Sequence, residues 1–332
     1  VQLSVVIVCW NARETLAGCL NSIFSRTRAT QFEVVLSDNG STDGSVEFVR
    51  NTYPRVLVVE NGKNLGCAGG RNSGVRFSSG EYVLLLDPDT IVHEGALDVL
   101  VKFADEHPEA AGFGCRILKF DGSPQLTSQE FPTIRREWMH ALGLHKLGRL
   151  SRLAGVDNKV RRVDWHSGCC VMFRSNLLKS VGGFDEQFFY TYDEVDMCRR
   201  LRDRGYSVIE TAAAEITHLG SKSVSQFPEY FELEKYRNRY RYFYKHFGRK
   251  VLRQCRLAVL TRIRVRQLGY GLRNLFAPSE SLRARLATYR IAADWNAVLD
   301  PVLFVENGKE PSVSTAGWDA VLPASDLLRV KK

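Results

Sequence analysis

Short apolar runs alternate with helical patterns along the first hundred residues. LSVVIVC (3–9), FEVVLSD (32–38), RVLVVE (55–60), YVLLL (82–86) and AAGFGC (110–115) are nearly continuous apolar stretches, the signature of strands covered on both faces. Between them, ARETLAGCLNSIF (12–24), DGSVEFVRN (43–51), a segment near 68–78 behind a glycine-rich turn, and 95–106 carry apolar residues at helical spacing. This alternation predicts an α/β fold with a mostly parallel central sheet and helices on both faces. Ligands of such sheets lie beyond the carboxyl ends of the strands. The polar residues that end the strands, Trp10 and Asn11, Asp38 and Asn39, and Asp87 and Asp89, should therefore share one rim.

Residues 116–165 carry no clear period, although KFDGSPQ (119–125) reads as a hairpin or turn. From Trp165 the pattern sharpens again. CCVMFR (169–174) is a strand, SNLLKSVGG (175–183) a short helix ending at glycine, EVDMCRRLRDRG (194–205) a helix closed by Gly205, and SVIET (207–211) a strand. From about Ser225 the chain reads as helical and basic, with a poorly ordered tail expected over 308–332. The expected division is a domain over 1–224, with halves at about 1–115 and 116–224, followed by a helical region over 225–307.

With 332 residues, 44% of them hydrophobic, the chain can bury a substantial core. Its eight cysteines (9, 19, 67, 115, 169, 170, 198 and 255) show no CxxC or other metal-ligand spacing, so they read as reduced thiols, several of them inside apolar runs. No run of eighteen apolar residues and no basic leader is visible, and a cytoplasmic protein is the resulting expectation. The net charge of +9 is unevenly spread: sixteen Lys or Arg stand against the single acid Glu280 between Lys235 and Arg290, which leaves −6 on the remainder. An acidic body carries a basic arm.

Five constellations could carry chemistry. Asp87 and Asp89, around Pro88, follow a buried strand directly, and their mutual repulsion is relieved by a hard divalent cation or by solvation in a capping turn. SDNGSTDGS (37–45) is turn-like, yet Asp38 at a strand end can accept hydrogen bonds from a base or ribose. NLGCAGGRNSG (64–74) lacks the GxGxxG spacing and follows the third strand, which excludes a dinucleotide fingerprint; a glycine-rich helix start beside Arg71 still suits an anion. Asp185, Asp193, Glu194 and Asp196 stand among the aromatics Phe184, Phe188, Phe189, Tyr190 and Tyr192, where helix capping competes with catalysis. HLGSKS (218–223) places a single histidine beside a loop able to close on phosphate.

In this order, SVVIVCWNARETLAGCLNSI, VVLSDNGSTDGS, NLGCAGGRNSG, YVLLLDPDT, HSGCCVMFRSNLLKSVGGFDEQFFYTYDEVDMCRRLRDRGY and HLGSKS resemble the inverting GT-A glycosyltransferases of family 2, specifically the rhamnosyltransferase-like branch. The resemblance spans roughly residues 3–223. It implies a GT-A fold whose first half binds a nucleotide-sugar donor, dTDP-L-rhamnose or a UDP-sugar, and whose second half binds a saccharide or lipid-linked saccharide acceptor. It places Cys9, Trp10, Glu14 and Asp38 against the base and ribose and Arg71 near the diphosphate. Asp89 becomes the main ligand of Mg²⁺ or Mn²⁺, with Asp87 beside it and His218 completing the site. Asn39, Asn64, Pro88, Trp165, Gly168 and Asp196 join the substrate-binding set. Asp193 and Glu194 occupy the acidic motif of the catalytic base, with Glu194 at the base position, although their order is reversed from the usual Glu-Asp.

EKYRNRYRYFYKHFGRKVLRQCR (234–256) and VLTRIRVRQLGYGLRNLF (259–276) mix aromatic and aliphatic residues with Arg and Lys. Basic amphipathic helices bind anionic membrane surfaces, and no recognised nucleic-acid motif accompanies the charge. Peripheral attachment at the cytoplasmic face of the inner membrane is the expectation, against a solvated helical face. Two other classes compete with a transferase. A sugar nucleotidyltransferase needs a glycine-rich basic loop after its first strand, which CWNARET is not; a catalytically silent nucleotide-sugar-binding protein needs no such signal.

Overall fold

The computed structural model of the protein describes residues 1–144, 160–220 and 228–308. In chain order the elements are β1 (Leu3–Cys9), α1 (Arg13–Arg26), β2 (Phe32–Asp38), α2 (Ser45–Thr52), β3 (Val56–Glu60), α3 (Gly66–Arg76), β4 (Tyr82–Leu86), β5 (Thr90–Val92), α4 (Ala96–Asp105) and β6 (Ala110–Lys119). Then come β7 (Ser128–Gln129), α5 (Ile134–Ala141), β8 (Arg161–Val163), β9 (Trp165–His166), β10 (Cys170–Arg174), α6 (Ser175–Ser180), α7 (Asp193–Asp203), β11 (Ser207–His218), α8 (Pro228–Phe276), α9 (Glu280–Val298) and α10 (Pro301–Asn307). Helices α5 and α8–α10 form one compact unit and the remaining elements another. Helix α5 thus lies with the helical unit, although the sequence expectation put it in the 116–224 half.

The first unit is built on a sheet of order β3-β2-β1-β4-β10-β6-β11-β5, with β8 added to β11. Strands β1–β4 pair in parallel, as their both-face burial requires. Strand β10 enters antiparallel between β4 and β6, and β11 runs parallel to β6, so the second half of the sheet is mixed. Alternate residues of β1 serve two layers. Leu3, Val5, Ile7 and Cys9 pack with Leu16, Cys19, Leu20 and Ile23 of α1 in the main core, which also takes in Leu97 and Leu100 of α4. On the opposite face α3 comes close enough that a Cβ on Gly70 would stand 2.6 Å from Val8 Cγ1, and one on Gly74 2.4 Å from Val6 Cγ1. Gly70 and Gly74 are therefore a packing surface for the helix on the sheet.

Three features of 116–165 were not readable as elements. Strand β6 continues to Lys119, the pair β7–β9 forms a two-stranded ribbon, and α5 is capped by the Thr133 hydroxyl. The turn expected at 119–125 is present: Lys119 N–H donates to Ser123 O at 2.8 Å and Gly122 takes a positive φ of 76°. All eight cysteines are free thiols.

In the helical unit Gly248, with φ 76° and ψ −178°, breaks α8 in two. The core takes Tyr236, Tyr240 and Phe243 from the first half of α8, Leu252, Cys255 and Ile263 from the second, Trp295 from α9 and Phe304 from α10. The Tyr240 ring stacks on Trp295, and its hydroxyl donates to Asn296. Arg237 pairs with Glu234 at 2.8 Å and Arg239 with Glu137 at 3.4 Å. The interleaved aromatics near 236–243 are thus interior, and arginines beside them serve internal ion pairs. Among the described residues no helix is long and apolar enough to cross a membrane.

Candidate active site

The rim at the carboxyl ends of β1, β2 and β4 carries the expected groups. Strand β4 stops at Leu86, and the next two turns are fixed by backbone bonds: Asp87 N–H donates to Cys169 O at 3.0 Å and Leu219 N–H to Asp89 O at 2.8 Å. The antiparallel pairing of β11 with β5 sets His218 opposite Thr90, next to Asp89. His218 Nε2 lies 3.3 Å from Asp89 Oδ1 without an aligned hydrogen bond, while Nδ1 sits 3.1 Å from Gln125 Oε1. With the Nδ1 proton directed at Gln125, the Nε2 lone pair faces a carboxylate. One donor atom from each of Asp87, Asp89 and His218 lies within 4.8 Å of the others.

Those charges are not balanced by the protein alone. Burial pushes the Asp87 carboxyl up to about 6; Arg71 pulls it down and Asp89 pushes it further up. Burial opposes a charged His218, but the neighbouring carboxylates of Asp89 and Asp87 outweigh it and raise its pKa. Protons thus do the compensating that a divalent cation does better, and two carboxylate oxygens with one imidazole nitrogen suit Mg²⁺ or Mn²⁺. The donor set fits such an ion.

At the ends of β1 and β2, Asp38 is almost fully buried. Its Oδ2 accepts from the N–H groups of Gly40 and Ser41, each at 3.0 Å, whereas Oδ1 has no partner and is available to a hydroxyl or ring N–H. Cys9 is buried with Sγ 3.7 Å from Ser41 Oγ, and burial pushes its thiol up to about 11, so it is a packing residue under this corner. Trp10 is partly exposed and Glu14 exposed. Asn11 adopts φ 50°, and its Oδ1 receives the Thr42 N–H at 2.8 Å. Asn39 and Asn64 are tied to each other and to the start of α3. Asn39 Nδ2 donates to Asn64 Oδ1 and Gly66 O, its Oδ1 accepts from Asn61, and Asn64 Oδ1 also takes the Gly66 N–H, so both staple the loop to the start of α3.

The acidic pair lies at the first turn of α7, where the helix dipole favours carboxylates. Thr191 and Tyr192 precede it with φ of 66° and 69°, a conformation that costs non-glycine residues and marks functional sites. Arg71 is buried against this pair. Its Nη1 donates to Asp193 Oδ2 and stands 3.8 Å from Glu194 Oε2, and Nη2 donates to Gly168 O at 3.2 Å. Gly168 leaves room for this guanidinium, since a Cβ there would lie 2.2 Å from Arg71 Nη2 and force it to shift. The guanidinium is thus held by the acidic pair and the Gly168 carbonyl. Glu194 Oε2 is buried and accepts no hydrogen bond; burial, then the charge and hydrogen bond of Asp193, push the Glu194 carboxyl well above the usual range, with Arg71 opposing.

Other expected contacts are structural. Asp196 is fully buried and bound to Arg200 Nε at 2.8 Å, and Arg200 also donates to Val181 O and Gly183 O, so this pair locks the turn before the acidic loop. Trp165 is partly exposed, with Nε1 donating to Glu130 O at 3.2 Å, and Pro88 is partly exposed between the two aspartates. Of HLGSKS, residues 221–223 lie outside the described residues, as do 308–332 apart from Gly308. Gln125 gave no sequence signal, since its role exists only once β11 and the 119–125 turn are adjacent. The docking of Phe189 on the start of α3, where Cys67 N–H donates to Phe189 O at 2.7 Å, was foreshadowed only by Gly66: its Cβ would lie 2.4 Å from that same oxygen.

A sheet of this order, with a carboxylate–histidine triad at its rim and an acidic pair on a helix start, defines a GT-A glycosyltransferase. Residues 4–182 match the family model described as glycosyl transferase family 2, and the chain belongs to that family. It is an enzyme of the transferase class. An N-acetylglucosaminyl-diphospho-decaprenol L-rhamnosyltransferase of Mycobacterium tuberculosis is 30% identical over 68% of this chain and 78% of its own length. A low-salt glycan biosynthesis hexosyltransferase, Agl10, of Haloferax volcanii is 25% identical over 72% of this chain and 74% of its own. Among solved structures, a mannosyltransferase from Pyrobaculum calidifontis in complex with GDP-Man and Mn²⁺ shares the fold at TM-score 0.57 and 18% identity, over 93% of this chain and 88% of that one.

Proposed function

We propose that the protein is a metal-dependent inverting glycosyltransferase that moves L-rhamnose from dTDP-L-rhamnose to a lipid-linked saccharide acceptor during cell-surface polysaccharide synthesis. The observation that carries the mechanism is the meeting of Asp87, Asp89 and His218, one donor atom of each within 4.8 Å of the others, beside an acidic pair in which Arg71 is bonded to Asp193 and stands 3.8 Å from Glu194. The rhamnosyl donor and the lipid-linked acceptor are supported by similarity to the mycobacterial enzyme. Such an acceptor is met at the cytoplasmic face of the membrane, which is where this reading puts the reaction.

Asp38 Oδ1, held rigid through Oδ2, receives a hydroxyl or N–H of the nucleoside and sets the donor's position. Asp87, Asp89 and His218 would hold Mg²⁺ or Mn²⁺, which when bound supplies positive charge against the departing nucleoside diphosphate. Glu194 Oε2 takes the proton of the acceptor hydroxyl. As that proton leaves, the acceptor oxygen bonds to the anomeric carbon from the face opposite the leaving phosphate, the carbon–oxygen bond to phosphate breaks, and configuration inverts. The raised pKa of Glu194 suits a group that must gain a proton, while Arg71 keeps enough positive charge nearby for the carboxylate to form. Incubation with dTDP-L-rhamnose and a panel of UDP- and GDP-sugars, with Mn²⁺ or EDTA, tests this. Transfer from dTDP-L-rhamnose that EDTA abolishes, with an inverted product by proton NMR, is expected. Preference for another donor overturns the substrate, a retained configuration overturns the mechanism, and full activity in EDTA overturns the metal.

A further inference from the structure

The second half of α8 has apolar residues on both of its faces. Leu252, Cys255, Val259 and Ile263 pack inward. Leu257, Val265, Leu268, Leu272, Leu275 and Phe276 point the other way and are exposed, Leu268 by 68%, Leu275 by 77% and Phe276 by 88%. At helical spacing these six fall within one arc of about 100°. An arc of that kind, running five turns along a helix, is not the scatter of single exposed apolar residues that an ordinary surface carries.

The flanks of the stripe are cationic. Arg253, Arg264 and Arg273 are exposed on α8, and Glu280 is the one acid between Lys235 and Arg290. That charge decides among occupants. A second copy would bring the same cationic flanks against these and repel them. Nucleic acid is matched by the arginines but not by six adjacent aliphatic and aromatic side chains, of which only Phe276 offers a ring to stack on a base. An anionic bilayer meets both features, with acyl chains for the stripe and phosphate headgroups for the arginines.

We propose that the Leu257–Phe276 face of α8 lies in the interface of an anionic lipid bilayer and anchors the enzyme peripherally. The surface falls largely within the second of the two basic segments, 259–276, whereas aromatics of the first form the core of the helical unit. Attachment of this kind places the enzyme where a lipid-linked acceptor resides, yet it is independent of the catalytic reading, because binding to lipid needs no turnover.

Sedimentation of the full chain with phosphatidylcholine vesicles, with and without phosphatidylglycerol, tests the proposal. Binding is expected only with phosphatidylglycerol and should weaken as salt is raised. Leu268→Asp with Leu272→Asp should weaken it about tenfold or more, and Arg264→Glu with Arg273→Glu by about tenfold. All four positions are exposed, so far-UV circular dichroism and the urea midpoint should match the parent. Failure to bind vesicles of either composition overturns the proposal. So does binding that survives the double aspartate substitution, and so does a dimer seen by light scattering that the same substitution dissociates, which assigns the stripe to a second copy.

Discussion

At the scale of single residues, charge burial separates acids that the protein neutralises from acids that it leaves opposed. Asp89 and Asp193 are both buried acids in the same rim, but Asp193 is neutralised by Arg71 whereas Asp89 faces Asp87 and a histidine that the protein leaves unaligned. Asp89→Ala removes one of two repelling carboxylates, so the urea midpoint should hold or rise while transfer falls about a thousandfold or more. A variant that keeps near-normal turnover defeats the assignment. Glu194→Gln should lower kcat by about a hundredfold or more with the donor KM kept, because the side chain keeps its shape and loses its basicity. Loss confined to KM would move Glu194 from proton transfer to binding. Asp87 and Asp89 were legible as rim residues because they end a buried strand, and the resemblance added His218 beside them. The bonds that Asn39, Asn64 and Asp196 make within the protein were not legible, since an amide or carboxylate that staples a loop has the same identity as one that does not, and only its partners tell them apart.

Among elements, α3 shows why a glycine-rich stretch need not mean a phosphate loop. Gly70 and Gly74 face β1, and the obstacles are the branched methyls of Val8 and Val6 on a central strand, which cannot give way cheaply. Gly74→Ala should destabilise the protein by about 1–3 kcal/mol, the overpacking cost exceeding the roughly 1 kcal/mol that alanine gains over glycine in a helix. Gly271 in α8 has nothing within 4 Å of its virtual Cβ, so Gly271→Ala should instead stabilise its own unit by about 0.5–1 kcal/mol. Urea denaturation of the two variants reads both signs, and a stabilised Gly74→Ala would refute the close contact of α3 with the sheet. The alternating strands and helices of residues 3–115 were legible because each βα step has its own period. The antiparallel entry of β10 was not, because a fully buried apolar run looks the same in either direction and its direction is set by a partner 84 positions away, as in the pairing of Cys170 with Leu86. Aromatic–basic alternation in the first half of α8 did not reveal its buried side for a related reason: 3.6-residue spacing defines two faces but not which of them meets the core.

For the whole molecule, the unbalanced rim links stability, protons and metal. The folded-state pKa of Asp87, about 6, stands above its ordinary 3.8, so the stability this group contributes to the metal-free protein is present below its ordinary pKa and is lost as pH rises through about 6. His218, raised as well, contributes with the same sign, losing its share as pH rises through its folded pKa. A divalent cation requires both groups deprotonated, so its affinity has the opposite slope and strengthens as pH rises. Differential scanning fluorimetry at fixed Mn²⁺ should therefore show a stabilising increment that is small near pH 5 and large near pH 7, reaching about 2.7 kcal/mol where Mn²⁺ is in roughly hundredfold excess over its Kd. Asp87→Asn has no proton to exchange at that position, so it should flatten the dependence, leaving only the part due to His218. An increment that is equal at both pH values in the parent protein, or larger at the lower one, would mean that protons and metal do not compete for this rim, and the cation would have to be held elsewhere.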